Sequence, residues 1–110
     1  MKMHEMRLKA FIQPHIASGR KDIEVRVADS KRRQIEVGDT IIFRVSFSDY
    51  GRRVKAIRTY TSFEALLEAE SPSRIMPNWS TEGILLKLRE LFPPDKEALG
   101  VLAIELETVT

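Results

Sequence analysis

The chain has 110 residues, a hydrophobic fraction of 43% and a net charge of +2, values typical of one ordinary globular domain with a packed core. It has no cysteine, which excludes a disulfide framework, a thiolate zinc site and a cysteine nucleophile. Its two histidines, His4 and His15, are too few for a conventional histidine metal site, so neither a metal nor a cofactor is expected.

The first elements in chain order are a strand and a helix. Weak alternation of polar and apolar residues predicts a strand over 3–8. Apolar residues at helical spacing predict a helix over 9–18. Pro14 is compatible with this helix if the regular turns begin near Gln13, or if the helix is kinked. Gly19 is a residue type that commonly ends a helix.

Three further strands are predicted between residues 22 and 60. Period-two alternation over 22–27 predicts a strand with one buried face, and the β-branched run over 40–47 predicts another. The turn-forming residues at 48–51 predict a hairpin, with 52–60 as the returning strand.

The second half of the chain predicts two helices and a closing strand. The capping residues at 61–64 begin a helix that runs to residue 70. Residues 71–79 contain two prolines and are predicted to form a loop. A second helix begins at Ser80, carries an apolar stripe and ends before Pro93. The closing strand covers 101–107.

These elements predict an α+β fold. About five mostly antiparallel strands, with helices before the second and before the last strand, are best buried in a small curved sheet or partly closed barrel. No apolar run reaches the roughly 18–20 residues of a membrane span, and the N-terminal segment lacks the apolar core of a signal peptide. We therefore expect a single domain over residues 1–110, located in the cytoplasm.

Charge is distributed unevenly along the chain. Residues 1–58 hold 14 Lys and Arg against 7 Asp and Glu, a balance of +7, whereas residues 59–110 hold 4 against 9, a balance of −5. Clustered Lys and Arg favour binding to a polyanion. The two halves can equally neutralise each other across the fold, because a block of sequence need not form a patch of surface. Charge alone leaves both interpretations open.

One short motif carries the candidate chemistry. Lys21 lies at the start of the strand over 22–27, and Glu24 and Arg26 share one face of that strand. A lysine beside a carboxylate can act as a general base, but the same three residues can form a fixed network of ion pairs. The residues alone do not decide between these roles.

The motif is the first part of a family resemblance. The segment GRKDIEVR at 19–26 matches the pattern G-x-K-x-x-E-x-R, and it is followed by KRRQIEVGDTIIF at 31–43, SFEALL at 62–67 and GVLAIELE at 100–107. In this order, over nearly the whole chain, these segments resemble the ASCH domain family (activating-signal-cointegrator homology) of the PUA-like superfamily. The resemblance implies a small β-barrel flanked by helices.

The resemblance also implies a cleft beside the barrel, which the superfamily uses to bind RNA. The primary hypothesis is therefore that the protein binds RNA or a nucleotide in a basic cleft. The predicted binding residues are Arg20, Lys21, Glu24, Arg26, Arg32, Arg33 and Trp79. Some of these also have structural interpretations: Trp79 can stack on a base or pin its loop to the barrel, and Arg32 and Arg33 can lie in a solvated turn.

Two alternative functions follow from the same residues. Some small relatives are amidohydrolases that act on N4-acetylcytidine with a catalytic Lys, a Thr three residues later and a distal Glu, and one is a ribonuclease. Lys21 matches that Lys as general base, whereas Glu24 occupies the position of the Thr and would orient the base or the water. The second alternative is a protein-interaction domain whose basic half binds an acidic partner.

Overall fold

The computed structural model describes residues 1–109 and has the predicted α+β architecture. Its five strands are β1 (Met3–Arg7), β2 (Ile23–Val27), β3 (Thr40–Val45), β4 (Ser48–Tyr60) and β5 (Val101–Thr108). The helices within those residues are α1 (Gln13–Ser18), α2 (Phe63–Ala69), α3 (Pro72–Ile75), α4 (Thr81–Leu91) and α5 (Pro94–Glu97). Short 3-10 turns cover Ala10–Ile12 and Arg32–Gln34.

The strands form one curled sheet in the order β1-β3-β4-β5-β2. All neighbouring pairs are antiparallel except β1 and β3, which run parallel. The long strand β4 pairs with β3 in its first half and with β5 in its second, with a bulge between Val54 and Ala56. Such a bulge bends a strand and helps a sheet to curl. The edge strands of this half-barrel are therefore β1 and β2.

The two faces of the sheet bury separate hydrophobic cores. The inner core lies in the curl and includes Ile16 of α1, Phe43 of β3 and Ile104 of β5. The outer core lies between the other face and helices α2, α3 and α4, with Phe63 and Leu66 among its fully buried members. Within residues 1–109, no helix is long and apolar enough to cross a membrane.

Several predicted helix boundaries are confirmed. Pro14 lies in the first turn of α1, where a proline removes no helical hydrogen bond, and Gly19 ends the helix with a left-handed φ of 80°. The Ser62 and Ser80 side chains cap α2 and α4 by accepting hydrogen bonds from the backbone N–H groups of Ala65 and Gly83.

The predicted hairpin turn at 48–51 is wrong. Val45 pairs directly with Ser48, so the turn consists of Ser46 and Phe47, and residues 48–51 belong to β4. Ser46 adopts a positive φ of 55°, as the first central residue of a tight hairpin turn of the II′ kind must. The Gly51 signal was misleading because this glycine lies inside the strand.

Two short helices also replace predicted irregular segments. Within the predicted loop over 71–79, Pro72 begins the one-turn helix α3, because a proline suits the first helical position. Pro94, the second of the two prolines that follow α4, begins α5 in the same way. Neither helix has the length or the periodicity that makes a helix visible in sequence.

The single buried face predicted for β2 is wrong as well. Ile23, Val25 and Val27 face the outer core as expected, but Glu24 on the opposite face is only 5% exposed. Glu24 pairs in register with Ile104, an inner-core residue of β5, so its side chain lies on the inner side of the curled sheet. A charged side chain in this environment requires partners.

Candidate functional site

The buried Glu24 lies between two cations. One carboxylate oxygen, Oε1, is 3.0 Å from the Lys21 ammonium, and the other, Oε2, accepts a hydrogen bond of 2.6 Å from Arg26 Nε. Burial raises the pKa of the Glu24 carboxyl, but the charges of Lys21 and Arg26 outweigh it and hold this pKa below its ordinary value. The carboxylate is therefore ionised, and the three side chains together carry one net positive charge.

Lys21 is as deeply buried as Glu24 and its ammonium is fully engaged. Besides Glu24, the Nζ atom donates to the carbonyl oxygens of Ile23 at 2.9 Å and Ile75 at 3.0 Å. An ammonium group has three N–H donors, so each one has an acceptor. This geometry fixes the position of the ammonium group.

Arg26 closes the gap between the two edge strands of the sheet. Its Nη2 atom donates a 3.0 Å hydrogen bond to the Arg7 carbonyl at the end of β1. Its Nη1 atom has no protein partner within residues 1–109, where no fully buried side-chain nitrogen or oxygen is left unpaired. Nη1 therefore reaches open space, and its N–H groups can donate to a ligand.

The three charged side chains lie at one side of a cavity of about 420 Å³. The cavity lies where β2, the end of β1, the turn after β1, α3 and α4 meet. Its walls are mostly apolar and include side chains of the outer core. Those apolar residues are Leu8, Phe11, Ile12, Val25, Ile75, Met76, Trp79, Ile84, Leu88, Leu91 and Phe92.

An aromatic pair forms part of the cavity wall. The Phe11 and Trp79 rings are stacked, with centroids 5.6 Å apart and planes inclined by 14°. Phe11 is substantially exposed, whereas Trp79 is half-buried and packs against the outer core. The Lys87 ammonium lies 5.7 Å from the Phe11 ring centroid, within the range of a cation–π contact.

Further cations line the same cavity. Arg7 and Lys9 are exposed, and their side chains form no ion pair or hydrogen bond with any part of the chain that the structure describes. Lys87 forms only a long contact of 3.4 Å with Glu90. The lining thus holds five cationic side chains and one carboxylate, a net charge of +4.

Helix α3 positions the Ile75 carbonyl that binds Lys21. Arg74 forms two hydrogen bonds to the Asp22 carboxylate, at 2.8 and 2.9 Å, and accepts one of 3.1 Å from the Asp22 backbone N–H. Arg74 also lies 3.3 Å from Glu105, and its hydrogen bond to Asp22 raises the pKa of its guanidinium above the ordinary value. Lys21 and Asp22, which are adjacent in the motif, are therefore both bound to the single helical turn of α3.

We expect Arg74→Ala to loosen the attachment of α3 to Asp22 and to have only a small effect on the stability of the whole fold. The ion pair is partly exposed, so the free energy of unfolding should fall by only about 0.5–1 kcal/mol. Hydrogen exchange of the Asp22 and Met76 amides, which donate to carbonyls of α3, should accelerate through local opening. Arg44→Ala, at a similarly exposed pair on β3, is the control and should leave both amides unchanged. Equal exchange in the two variants would contradict a positioning role for Arg74.

Of the residues predicted from sequence, the structure brings Lys21, Glu24, Arg26 and Trp79 together in the cavity lining. Arg20, Arg32 and Arg33 do not line it, and each has an exposed or partly exposed location elsewhere. Arg20 lies on the turn after α1, and Arg32 pairs with Asp29 at 3.2 Å. Arg33 donates to the carbonyls of Ala28 and Leu99.

The uneven charge of the sequence is partly neutralised across the fold. Arg58, from the basic half, forms hydrogen bonds of 2.6 and 2.9 Å with Glu70 and one of 2.9 Å with Glu105, both from the acidic half. These contacts lower the pKa values of the Glu70 and Glu105 carboxyls. Arg53 and Lys55 lie within 4 Å of acidic side chains of β5. Fewer basic residues are therefore left without an acidic partner than the charge of the first half of the sequence indicates.

The motif did not reveal several residues that line the cavity. Those residues include Arg7, Lys9, Phe11, Lys87 and Phe92. They come from two stretches far apart in the sequence, 7–11 and 87–92, and the parallel pairing of β1 with β3 and the packing of α4 on the sheet bring them together. No local pattern marks them, except that Arg7 and Lys9 are two charges flanking a leucine at the end of a strand. Among residues 1–109, no group of three or more acidic, His or Cys side chains is arranged to hold a metal ion.

The curled mixed sheet with helices on its outer face is consistent with a PUA-like barrel. Residues 6–110 match the family model of the ASCH domain. The chain belongs to the ASCH domain family, as the resemblance of its sequence indicated.

Two solved structures resemble the protein over nearly their full length. The crystal structure of the hypothetical protein PH0355 has a TM-score of 0.87 and 37% identity, covering 99% of this chain and 100% of that one. The solution NMR structure of protein PF0455 from Pyrococcus furiosus has a TM-score of 0.77 and 38% identity, covering 97% of this chain and 96% of that one. No curated protein matches the chain.

Proposed function

We propose that the protein binds a nucleotide of RNA in the cavity beside Lys21, Glu24 and Arg26. The observation that carries the proposal is the combination of an aromatic wall with an unneutralised cluster of cations in one cavity. A nucleotide has a flat apolar base and an anionic phosphate, and this cavity offers a surface for each. Its volume of about 420 Å³ lies within the usual range for small-molecule sites.

The base has two kinds of contact available. Apolar and aromatic side chains, Phe11 and Trp79 among them, can cover its faces. The Nη1 group of Arg26 can donate to an oxygen or ring nitrogen on its edge. Because the Glu24 carboxylate holds Arg26 in place through Nε, this donor is pre-organised and little entropy is lost when the ligand binds.

The phosphate has its counter-charges at the exposed side of the cavity. Arg7 and Lys9 have no competing acidic partner, and Lys87 has only a distant one. An unpaired cation can bind a phosphate without first breaking an ion pair. We therefore assign phosphate contact to these three residues rather than to Arg20, Arg32 and Arg33, which the sequence had suggested.

The geometry of Lys21 supports binding ahead of hydrolysis. A general base must accept a proton, and in this protein each of the three ammonium N–H groups is already donated to an acceptor. Removing a proton would leave a buried acceptor unpaired, which is unfavourable. Hydrolysis of an acylated nucleoside or of RNA with Lys21 as base stays a separate prediction, and so does the interaction domain.

Titration of the protein with AMP tests the proposal directly. Trp79 is the only tryptophan of the chain and lines the cavity, so its fluorescence reports binding at this site. We expect saturable quenching that weakens as salt is added. Combined Arg7→Ala and Lys9→Ala substitutions should weaken binding about tenfold, because charge-assisted hydrogen bonds to the phosphate are lost.

The matched control removes the same charge elsewhere. Arg20 and Lys96 are exposed and do not line the cavity, so Arg20→Ala combined with Lys96→Ala should leave the AMP affinity nearly unchanged. An equal loss in both double variants would show that only net charge matters. Absence of quenching by AMP and by other ribonucleoside monophosphates at millimolar concentration would refute the proposal.

A further inference from the structure

The tip of the β3–β4 hairpin presents a fully exposed aromatic side chain. Phe47 is the second residue of the two-residue turn and its side chain makes no buried contact with the rest of the protein. The turn is short and is closed by the pairing of Val45 with Ser48, so the ring is held on a well-defined element. Burial of this exposed ring against a partner would be favourable, because it removes apolar surface from water.

The hairpin tip lies at the same end of the sheet as Arg7, which lines the cavity. Strand β1 runs parallel to β3 with Arg7 opposite Arg44, and the Leu8 N–H donates a 3.0 Å hydrogen bond to the Arg44 carbonyl. Phe47 is three residues beyond Arg44, so its Cα lies no more than roughly 15 Å from that of Arg7, given the reach of an extended chain and the spacing of neighbouring strands.

The unpaired cations Arg7 and Lys9 lie at this end of β1. Both line the cavity, and Lys9 follows the residue that hydrogen-bonds to Arg44. A chain of phosphates leaving the cavity toward the hairpin would pass these two side chains. By contrast, Arg44 itself is paired with Glu5 at 2.8 Å and with Asp49 at 3.2 Å. Of these three basic residues, Arg7 and Lys9 therefore carry charge that is not paired within residues 1–109, whereas Arg44 does not.

The surroundings of Phe47 suit a single planar group better than a protein surface. Its chain neighbours are Ser46 and Ser48, so the turn itself offers no apolar side chain beside the ring. A stable protein–protein interface usually buries about 800 Å² on each partner, which one isolated ring does not supply. A nucleobase, however, needs only one aromatic face in order to stack.

We propose that Phe47 is a second stacking site, for the base of a nucleotide outside the cavity, and that the natural ligand is single-stranded RNA of several nucleotides. This inference rests on the proposed function, since it places one nucleotide in the cavity. Arg7 and Lys9 hold the phosphates between the two bases. Stacking in this way is tolerant of base identity, so the hairpin contributes affinity more than sequence preference.

The test compares a mononucleotide with an oligonucleotide. AMP and the tetranucleotide rA4 are titrated into wild-type protein and the Phe47→Ala variant, with Trp79 fluorescence reporting occupancy of the cavity. We expect wild type to bind rA4 more tightly than AMP, and Phe47→Ala to lower the rA4 affinity by roughly 5- to 100-fold, the usual effect of removing one stacking ring. AMP is too short to reach the hairpin and should bind both proteins equally. Phe47→Tyr, which keeps an aromatic ring, should retain the rA4 affinity.

The other outcomes distinguish the second stacking site from the nucleotide site in the cavity. If AMP and rA4 bind but Phe47→Ala leaves the rA4 affinity unchanged, the second stacking site is wrong and the proposed function stands. If neither ligand quenches Trp79 in wild type, both proposals fail. Sedimentation equilibrium of the same samples tests whether the partner of Phe47 is instead a second copy of the chain. A wild-type dimer that dissociates in the Phe47→Ala variant would assign the ring to a protein interface and overturn the RNA site.

Discussion

Glu24→Gln is expected to lower the free energy of unfolding by about 3–5 kcal/mol, the usual cost of removing one member of a buried ion pair. Glutamine has nearly the same shape, but its amide must turn an N–H donor toward either the Lys21 ammonium or the Arg26 guanidinium, which are donors themselves. The buried Lys21 and the partly buried Arg26 would also face each other without the carboxylate between them. Urea denaturation followed by circular dichroism measures the change.

The same residue contributes a pH dependence with a definite sign. The Lys21 and Arg26 charges hold the pKa of Glu24 below the ordinary value of about 4.3. The carboxylate therefore stabilises the fold above the ordinary pKa, and this contribution is lost as the pH falls through the lowered pKa of the folded protein. Wild type should lose more stability than Glu24→Gln between about pH 5 and strongly acidic conditions, because the variant lacks this titrating group.

Glu36 provides the control for this experiment. It pairs with Lys2 at 3.2 Å, but its side chain is 73% exposed. Glu36→Gln should therefore change the free energy of unfolding by less than about 0.5 kcal/mol. If Glu24→Gln were equally mild, the carboxylate would not be needed to neutralise its two neighbours, and the argument for a fixed charge network beside the cavity would fail.

The sequence predicted the elements of this fold well because their signals are local. Period-two alternation identified β2, and serine caps identified the starts of α2 and α4. The prediction of the hairpin turn was wrong because two signals competed. Gly51 is a typical turn residue, whereas the true turn uses Ser46 at a positive φ that serine seldom adopts. The pairing of Val45 with Ser48 decided the register, and pairing is not visible locally.

Only the part of the candidate site that lies in one short segment of the sequence could be predicted. Lys21, Glu24 and Arg26 lie within six residues, so both their proximity and their link to a known family could be read from the sequence. The burial of Glu24 could not, because it depends on the sheet curling until β2 approaches the end of β1. For the same reason Arg7, Lys9 and Phe11 were missed. Basic clusters such as Arg32–Arg33 were overvalued, since clustering along the chain says nothing about which face they occupy.

Phe63 is the side chain that joins the helices to the cavity wall. It is fully buried at the start of α2, and its ring centroid lies 5.9 Å from that of Phe92, which lines the cavity at the end of α4. Its backbone N–H donates a 3.0 Å hydrogen bond to Glu97 of α5. Three helices therefore meet at this residue.

We expect Phe63→Ala to lower the free energy of unfolding by about 3–5 kcal/mol, because it removes a large buried ring and leaves a void that α2 and α4 cannot fully close. Phe92 would lose its aromatic neighbour, so the AMP affinity of the folded fraction should fall as well. Phe47→Ala makes the same chemical change at a fully exposed ring, and its effect on stability should stay within about 0.5 kcal/mol. Urea denaturation of both variants provides the comparison. A loss of less than about 1 kcal/mol for Phe63→Ala, well below the usual cost of such a truncation, would mean that α2 is not anchored on the sheet as described.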